Sequence, residues 1–303
     1  MIKTVKTMHS HSTKNIRTAF FLNLGFAIAE LIGGMLVNSV AILSDALHDL
    51  GDSLSLGLAW ILDRKSKKPG DKKFTFGYQR FSLLGALINS TVLIVGSIFI
   101  IREAVERFVN PEPSNALGMI GFAIAGVIIN GLAALKVQHG QTLNERVVFW
   151  HMLEDVLGWI AVLVAGIVML FTDSMYIDPA LSVIITLYVL WHVIKRLRET
   201  AQIFMMGSPD NISIAEIEEE ILKIDRIQSL HHTHLWSLDG EQHVFTSHVK
   251  LNSVSNLIEL IKVKKELSKI MKHYGFSHST LELELDEESC RLTNDAQKQE
   301  QKE

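Results

Sequence analysis

The chain has 303 residues, 48% of them hydrophobic and 20% charged, with a formal net charge of −4. Residues 209–303 hold 18 acids against 11 bases, a net charge near −7 that leaves the first 208 residues near +3; so acidic a tail argues against nucleic acid as a partner. A single cysteine, Cys290, excludes an intrachain disulfide and a cysteine-based zinc knuckle, and reads as an incidental cytoplasmic thiol.

Residues 1–17 are basic (Lys3, Lys6, Lys14, Arg17), and the "MHSHS" histidines His9 and His11 read as solvent-facing. No small-residue cleavage pattern follows, so this is no secretory signal. Six apolar blocks come next, at 18–40, 41–62, 82–102, 116–137, 147–171 and 177–195. Several exceed the roughly 20 residues a helix needs to cross about 30 Å of hydrocarbon. The expected organisation is a six-helix transmembrane domain over 18–208, a soluble domain over 209–290 and a disordered polar end over 291–303.

Basic residues set the orientation. The connection after the second block carries Arg64, Lys65, Lys67, Lys68, Lys72, Lys73 and Arg80, and Lys195, Arg196 and Arg198 follow the sixth. The loops near 37–39 and 172–178 have none, which places both termini in the cytoplasm. Arg102 and Arg107 run against the rule, on the predicted outer side.

The second block contains "SDALHDLGDS", residues 44–53. At about 100° per residue, Asp45, His48, Asp49 and Asp52 fall within one arc of about 100° on an otherwise apolar helix. Ionisable groups at membrane depth face a bundle interior or a wet cavity. The fifth block repeats the theme in "WHMLEDVLGW", residues 150–159. His151 and Asp155 are stacked one turn apart, Glu154 lies to the other side of His151, and Gly158 leaves room for a neighbouring helix. Two H-x-x-x-D pairs supply two imidazole nitrogens and two carboxylate oxygens, a set suited to tetrahedral Zn2+ and neutral once the ion is bound. Without metal such groups take up protons, which is the requirement for exchanging a metal ion for protons.

From 212 the pattern reads helix, strand, strand, helix, strand, with a hairpin turn through Asp239-Gly240. His232 and His234 share a strand face by alternation, as do Glu282 and Glu284.

Taken together, "SVAILSDALHDLGDSLSLGLAW", "FTFGYQRFSLLGALIN", "WHMLEDVLGW", "YIDPALSVIITLYVLW", "LRETAQIFMMGSP" and "HHTHLWSLDGEQHVFTSHVKL" resemble the cation diffusion facilitator family, in its zinc-type branch, along the whole chain. The resemblance implies a transport site of His48, Asp52, His151 and Asp155. It places Asp45 on the access path and leaves Asp49 as a supporting or proton-relay group. Glu154 stands where relatives usually carry a small residue. Some relatives hold a further metal with histidines in the loop after the second span; here that loop has Asp71 and no histidine, so that site is not expected. The αββαβ tail resembles the family's ferredoxin-like cytoplasmic domain, which dimerises and binds zinc. His232 and His248 fall at its metal positions, with Glu282 or Glu284 in place of further ligands.

The expected function is a homodimeric Zn2+/H+ antiporter exporting cytoplasmic zinc across a bacterial inner membrane by alternating access. The rivals are the same scaffold moving Cd2+, Co2+, Fe2+ or Mn2+, a membrane zinc sensor without flux, and a membrane zinc hydrolase. The last lacks an open coordination position and a separate base or nucleophile.

Overall fold

The computed structural model describes residues 20–21, 23–66, 68–137, 143–254, 256–285, 288 and 290. The basic N-terminal residues, His9, His11 and the expected polar end lie outside them. The chain divides into two compact units, residues 1–198 and 199–303.

The first unit is helical: α1 (Asn23–Val37), α2 (Val40–Ser66), α3 (Phe81–Val109), α4 (Ala116–Val137), α5 (Leu143–Thr172) and α6 (Ile177–Phe204), whose end enters the second unit. Among the described residues, α3 to α6 are long and apolar enough to cross a membrane by length and composition. The described part of α1 is shorter, and α2 is long enough but carries Asp45, Asp49 and Asp52 close together.

The unit is polar inside and apolar outside. Phe99, Ile128, Ile184 and Trp191 are exposed, whereas Asn89, Ser90, Ser97, Asn130 and Thr186 are buried. A surface of that kind suits hydrocarbon rather than water. α2 packs against α3 and α5, and α5 against α4. Trp159 of α5 is 1% exposed in a cluster with Ile42, Met119 and Val162. A Cβ at Gly126 of α4 would sit 2.1 Å from the Trp159 ring, so the glycine is what lets the indole in.

The start of α2 is fixed by α6. Fully buried Asp178 accepts from the Val40 and Ala41 amides at 2.8 and 3.2 Å and from the Ser39 hydroxyl at 2.5 Å. These are amides a helix leaves unpaired at its first turn, and the carboxylate also suits the positive end of the helix dipole. Asn38, in the left-handed region at φ 54°, makes the turn between α1 and α2. Arg107 is 5% exposed and donates to the Asn38 carbonyl and side chain at 2.7 Å each, and to Glu103 at 3.0 Å. Of the two charges that ran against the orientation rule, Arg107 is thus a bracing group at the end of α3.

In the connection after α2, Asp71 is a loop cap. It accepts from the Lys73 and Phe74 amides at 2.8 Å each and from the Tyr78 hydroxyl at 2.7 Å. The Tyr78 bond, then those amides, hold its carboxyl down at about 2.

The second unit has the order α7 (Ile214–Leu222), β1 (Ile227–Ser237), β2 (His243–Leu251), α8 (Leu257–His273), β3 (His278–Glu284). The sheet runs β1-β2-β3, antiparallel then parallel, giving the αββαβ arrangement read from the sequence. Ser213 and Asn256 cap the two helices by accepting from the amides of Glu216 and Glu259. Phe245, Val249 and Leu251 of β2 face a core with Ile217, Ile221, Val263 and Leu267. Gly240, at φ 101°, turns the β1–β2 connection, where Asp239 accepts from the Glu241 and Gln242 amides.

Replacing Asp178 with alanine would orphan two buried amides, at about 1–3 kcal/mol for each unsatisfied group. The expected result is a clearly lowered unfolding midpoint in detergent; an unchanged midpoint would show that the cap is dispensable.

Candidate metal centre

Helix α2 presents His48 and Asp52 one turn apart, and α5 presents His151 and Asp155 in the same way. The packing of α2 on α5 brings the two pairs together. His151 Nε2 lies 2.9 Å from Asp52 Oδ2 and 3.9 Å from Asp155 Oδ2, and His48 Nε2 lies 3.8 Å from Asp52 Oδ2. The imidazoles meet edge to face, with centroids 6.0 Å apart. Ligand atoms of His48, His151 and Asp155 all fall within 4.8 Å of one another. The 2.9 Å separation puts His151 Nε2 and Asp52 Oδ2 in hydrogen-bonding range, while His48 Nδ1 has no aligned hydrogen bond among the described residues. Ligands around a four-coordinate ion at about 2.0–2.1 Å stand about 3.3 Å apart, so these separations match a divalent cation between them.

His48, Asp52 and His151 line a cavity of about 50 Å3 together with Asn89, Glu154 and Arg196. One water needs roughly 10–15 Å3 of such space, so there is room for an ion with a few waters. Glu154 accepts a short hydrogen bond from the Tyr188 hydroxyl of α6, and the Tyr188 ring packs edge-on to His192 at 4.6 Å.

Asp45 and Asp49 share the arc of α2 but lie deeper, 8% and 7% exposed. Asp45 Oδ1 faces α5 where Gly158 is bare; a Cβ there would stand 3.7 Å from it. Glu30 of α1, 2% exposed, lies in hydrogen-bonding contact with Asp49 and within electrostatic reach of Asp45. Sequence reasoning missed Glu30. The signal was there, since it is the one acid in the block 18–40.

A second cluster lies on the tail domain's open sheet face. His248 of β2 pairs across the strands with His231 of β1 and Glu282 of β3. Glu284 Oε1 lies 2.9 Å from His248 Nδ1 and 3.1 Å from His231 Nε2, and His248 Nε2 lies 3.4 Å from Glu282 Oε2. The His232 ring stands 5.3 Å from those of both His231 and His248. Regular alternation on β1 placed His232 and His234 on one face; the structure departs from that. The register slips by one residue between His231 and His234, with His232 in the left-handed region at φ 48°. His234 is therefore exposed opposite Thr246, and His231 takes the place beside His248. Cys290 is also here, its sulfur 3.6 Å from His248 Nδ1. Ligand atoms of His231, His248, Glu284 and Cys290 all lie within 4.8 Å of one another. Burial would raise the Glu284 carboxyl; hydrogen bonding to His248 and the neighbouring His231 outweigh it and hold the group below its ordinary value.

The profile of the cation efflux transmembrane domain matches residues 16–205. The chain belongs to the cation efflux family. It is 33% identical over 284 residues to a cadmium, cobalt and zinc/H(+)-K(+) antiporter of Bacillus subtilis, covering 91% of each chain. It is 31% identical over 289 residues to the zinc transporter ZitB of Escherichia coli, again covering 91% of each. The metal-bound C-terminal domain of the CzcD transporter from Cupriavidus metallidurans, a solved structure, is 28% identical over 24% of this chain and 100% of that one, with a TM-score of 0.22. Membership in the cation efflux family makes the chain a multi-pass membrane transporter of divalent metal cations and removes the hydrolase reading.

Glu30→Gln keeps volume while removing a buried acid that lies against Asp49, and Glu30→Ala leaves a void. In detergent, the glutamine variant should unfold no earlier than the native protein, and the alanine variant should lose about 2 kcal/mol. An earlier melt for Glu30→Gln would mean that the carboxyl has a stabilising partner.

Proposed function

We propose that this cation efflux protein exports Zn2+ from the cytoplasm in exchange for protons, by alternating access around His48, Asp52, His151 and Asp155. The observation that carries the reading is the convergence of two H-x-x-x-D pairs from α2 and α5 at ion-sized separations. Two neutral imidazoles and two carboxylates around Zn2+ sum to zero charge, which lowers the cost of holding the ion at membrane depth. Mixed nitrogen and oxygen donors favour zinc-like ions over Mn2+. Metal binding needs deprotonated ligands, so protons arriving from outside compete for the same atoms and release the ion. A proton gradient directed inward then drives export.

In this reading all six helices span the membrane, with both termini in the cytoplasm, in a bacterial inner membrane. The arm 1–17, the transmembrane domain 18–208, the tail domain 209–290 and the end 291–303 are its parts. Asp45 and Asp49 continue the polar stripe on one side of the site, and Glu154 lines its cavity on α5. The tail domain dimerises and binds metal as a regulatory load through the cluster around His248, with His232, Glu282 and Glu284 at hand. The Bacillus relative's name, which covers cadmium and cobalt as well as zinc and pairs them with protons and potassium, supports the exchanger and makes Cd2+ and Co2+ the foremost alternative cargo.

The test is zinc flux into proteoliposomes under an imposed pH gradient. Native protein should move zinc only with the gradient, and Asp155→Ala should reduce the rate at least a hundredfold. Zinc binding with no flux in the native protein would replace the exchanger by a sensor. In the same assay His48→Asp should bring Mn2+ flux closer to Zn2+ flux; unchanged selectivity would mean that the histidines do not set the preference.

A further inference from the structure

We propose that Cys290 is a metal ligand, closing a four-donor site on the tail domain with His231, His248 and Glu284. The inference deepens the reading of the tail as a metal-binding domain and rests on it.

The atoms are spaced for such a site. A tetrahedral ion with nitrogen and oxygen at about 2.05 Å and sulfur at about 2.3 Å sets N···O pairs about 3.3 Å apart and N···S pairs about 3.5 Å apart. Here Glu284 Oε1 stands 2.9 and 3.1 Å from the histidine nitrogens, and the sulfur 3.6 Å from His248 Nδ1. One carboxylate and one thiolate balance a divalent cation with both imidazoles neutral. The protein already holds the donors in place: Glu284 is 5% exposed, and His231 and His248 are directly opposed on neighbouring strands.

Beyond β3, Leu285 and Glu288 are tied to each other and to β2. The Glu288 amide donates to the Leu285 carbonyl at 3.0 Å, and the Leu285 amide to the Glu288 carboxylate at 2.9 Å. Lys250 of β2 donates to the Leu285 carbonyl at 2.7 Å and to the Glu288 carbonyl. Cys290, two positions after Glu288, has its sulfur beside His248. The sulfur donor makes this site softer than the four-donor set on α2 and α5, so it favours Zn2+, Cd2+ and Co2+ and rejects Mg2+ and Ca2+.

The full chain in detergent, with Asp52→Ala and Asp155→Ala to disable the first centre, is titrated with Co2+. Expected is about one Co2+ per chain with a thiolate-to-cobalt charge-transfer band in the near ultraviolet, lost in Cys290→Ser. Co2+ bound without that band, and lost on His248→Ala, overturns the cysteine's role and leaves the tail's metal binding standing. No Co2+ bound overturns both. Because Cys290 is the chain's one cysteine, maleimide labelling of the native protein reads the same point without substitution. Zn2+ should slow labelling at least tenfold and Mg2+ should not; a rate indifferent to Zn2+ overturns the proposal.

Discussion

The first unit is organised by the cost of carrying charge into hydrocarbon. A helix with Asp45, His48, Asp49 and Asp52 on one arc has one low-energy orientation, with that arc turned toward other polar groups. Glu30, Asn89, Ser90, His151 and Asp155 come from the neighbouring helices to meet it or to line the space beside it. Many aliphatic and aromatic side chains of α3 to α6, Phe99, Ile128, Ile184 and Trp191 among them, are left on the outside. Two glycines follow from the same demand: Gly158 leaves space opposite Asp45, and Gly126 admits Trp159 behind the site.

Orientation alone does not fix depth along the axis. The pairs on α2 and α5 meet only if α2 starts at the right height, and Asp178 sets that start by holding its first amides. Arg107 holds the preceding turn by its backbone carbonyl and its side chain at once. Both are charged residues close to the ends of apolar helices, where a hydropathy reading treats them as topological markers. Their work here is to keep helix ends in register, and through them the spacing of the candidate ligands.

In the tail domain the register of two strands plays the part that helix height plays in the membrane. A single extra residue on β1 moves His234 away from His248 and brings His231 to it. Glu284 then bridges both rings from the third strand, and the Cys290 sulfur lies at the same spot. The cluster thus draws on three strands and a connection, spread over 60 positions of the chain.

The sequence by itself determined the apolar blocks, the shared arc on α2, the pairing of His151 with Asp155 and the αββαβ order, because each depends on a local period of 3.6 or 2 residues. Periodicity says which side chains share a face, and so it picked out the two H-x-x-x-D pairs that the structure brings together. It says nothing about which faces meet. The approach of Glu30 to Asp49, the bracing role of Arg107 and the capping of α2 by Asp178 belong to helix packing, which no window of one helix contains. The bulge at His232 belongs there too: one added residue reverses every later side chain on a strand, and alternation assumes there is none. Cys290 reads as incidental in the sequence and lies beside His248 in the fold, since only the tertiary structure decides what a lone thiol touches.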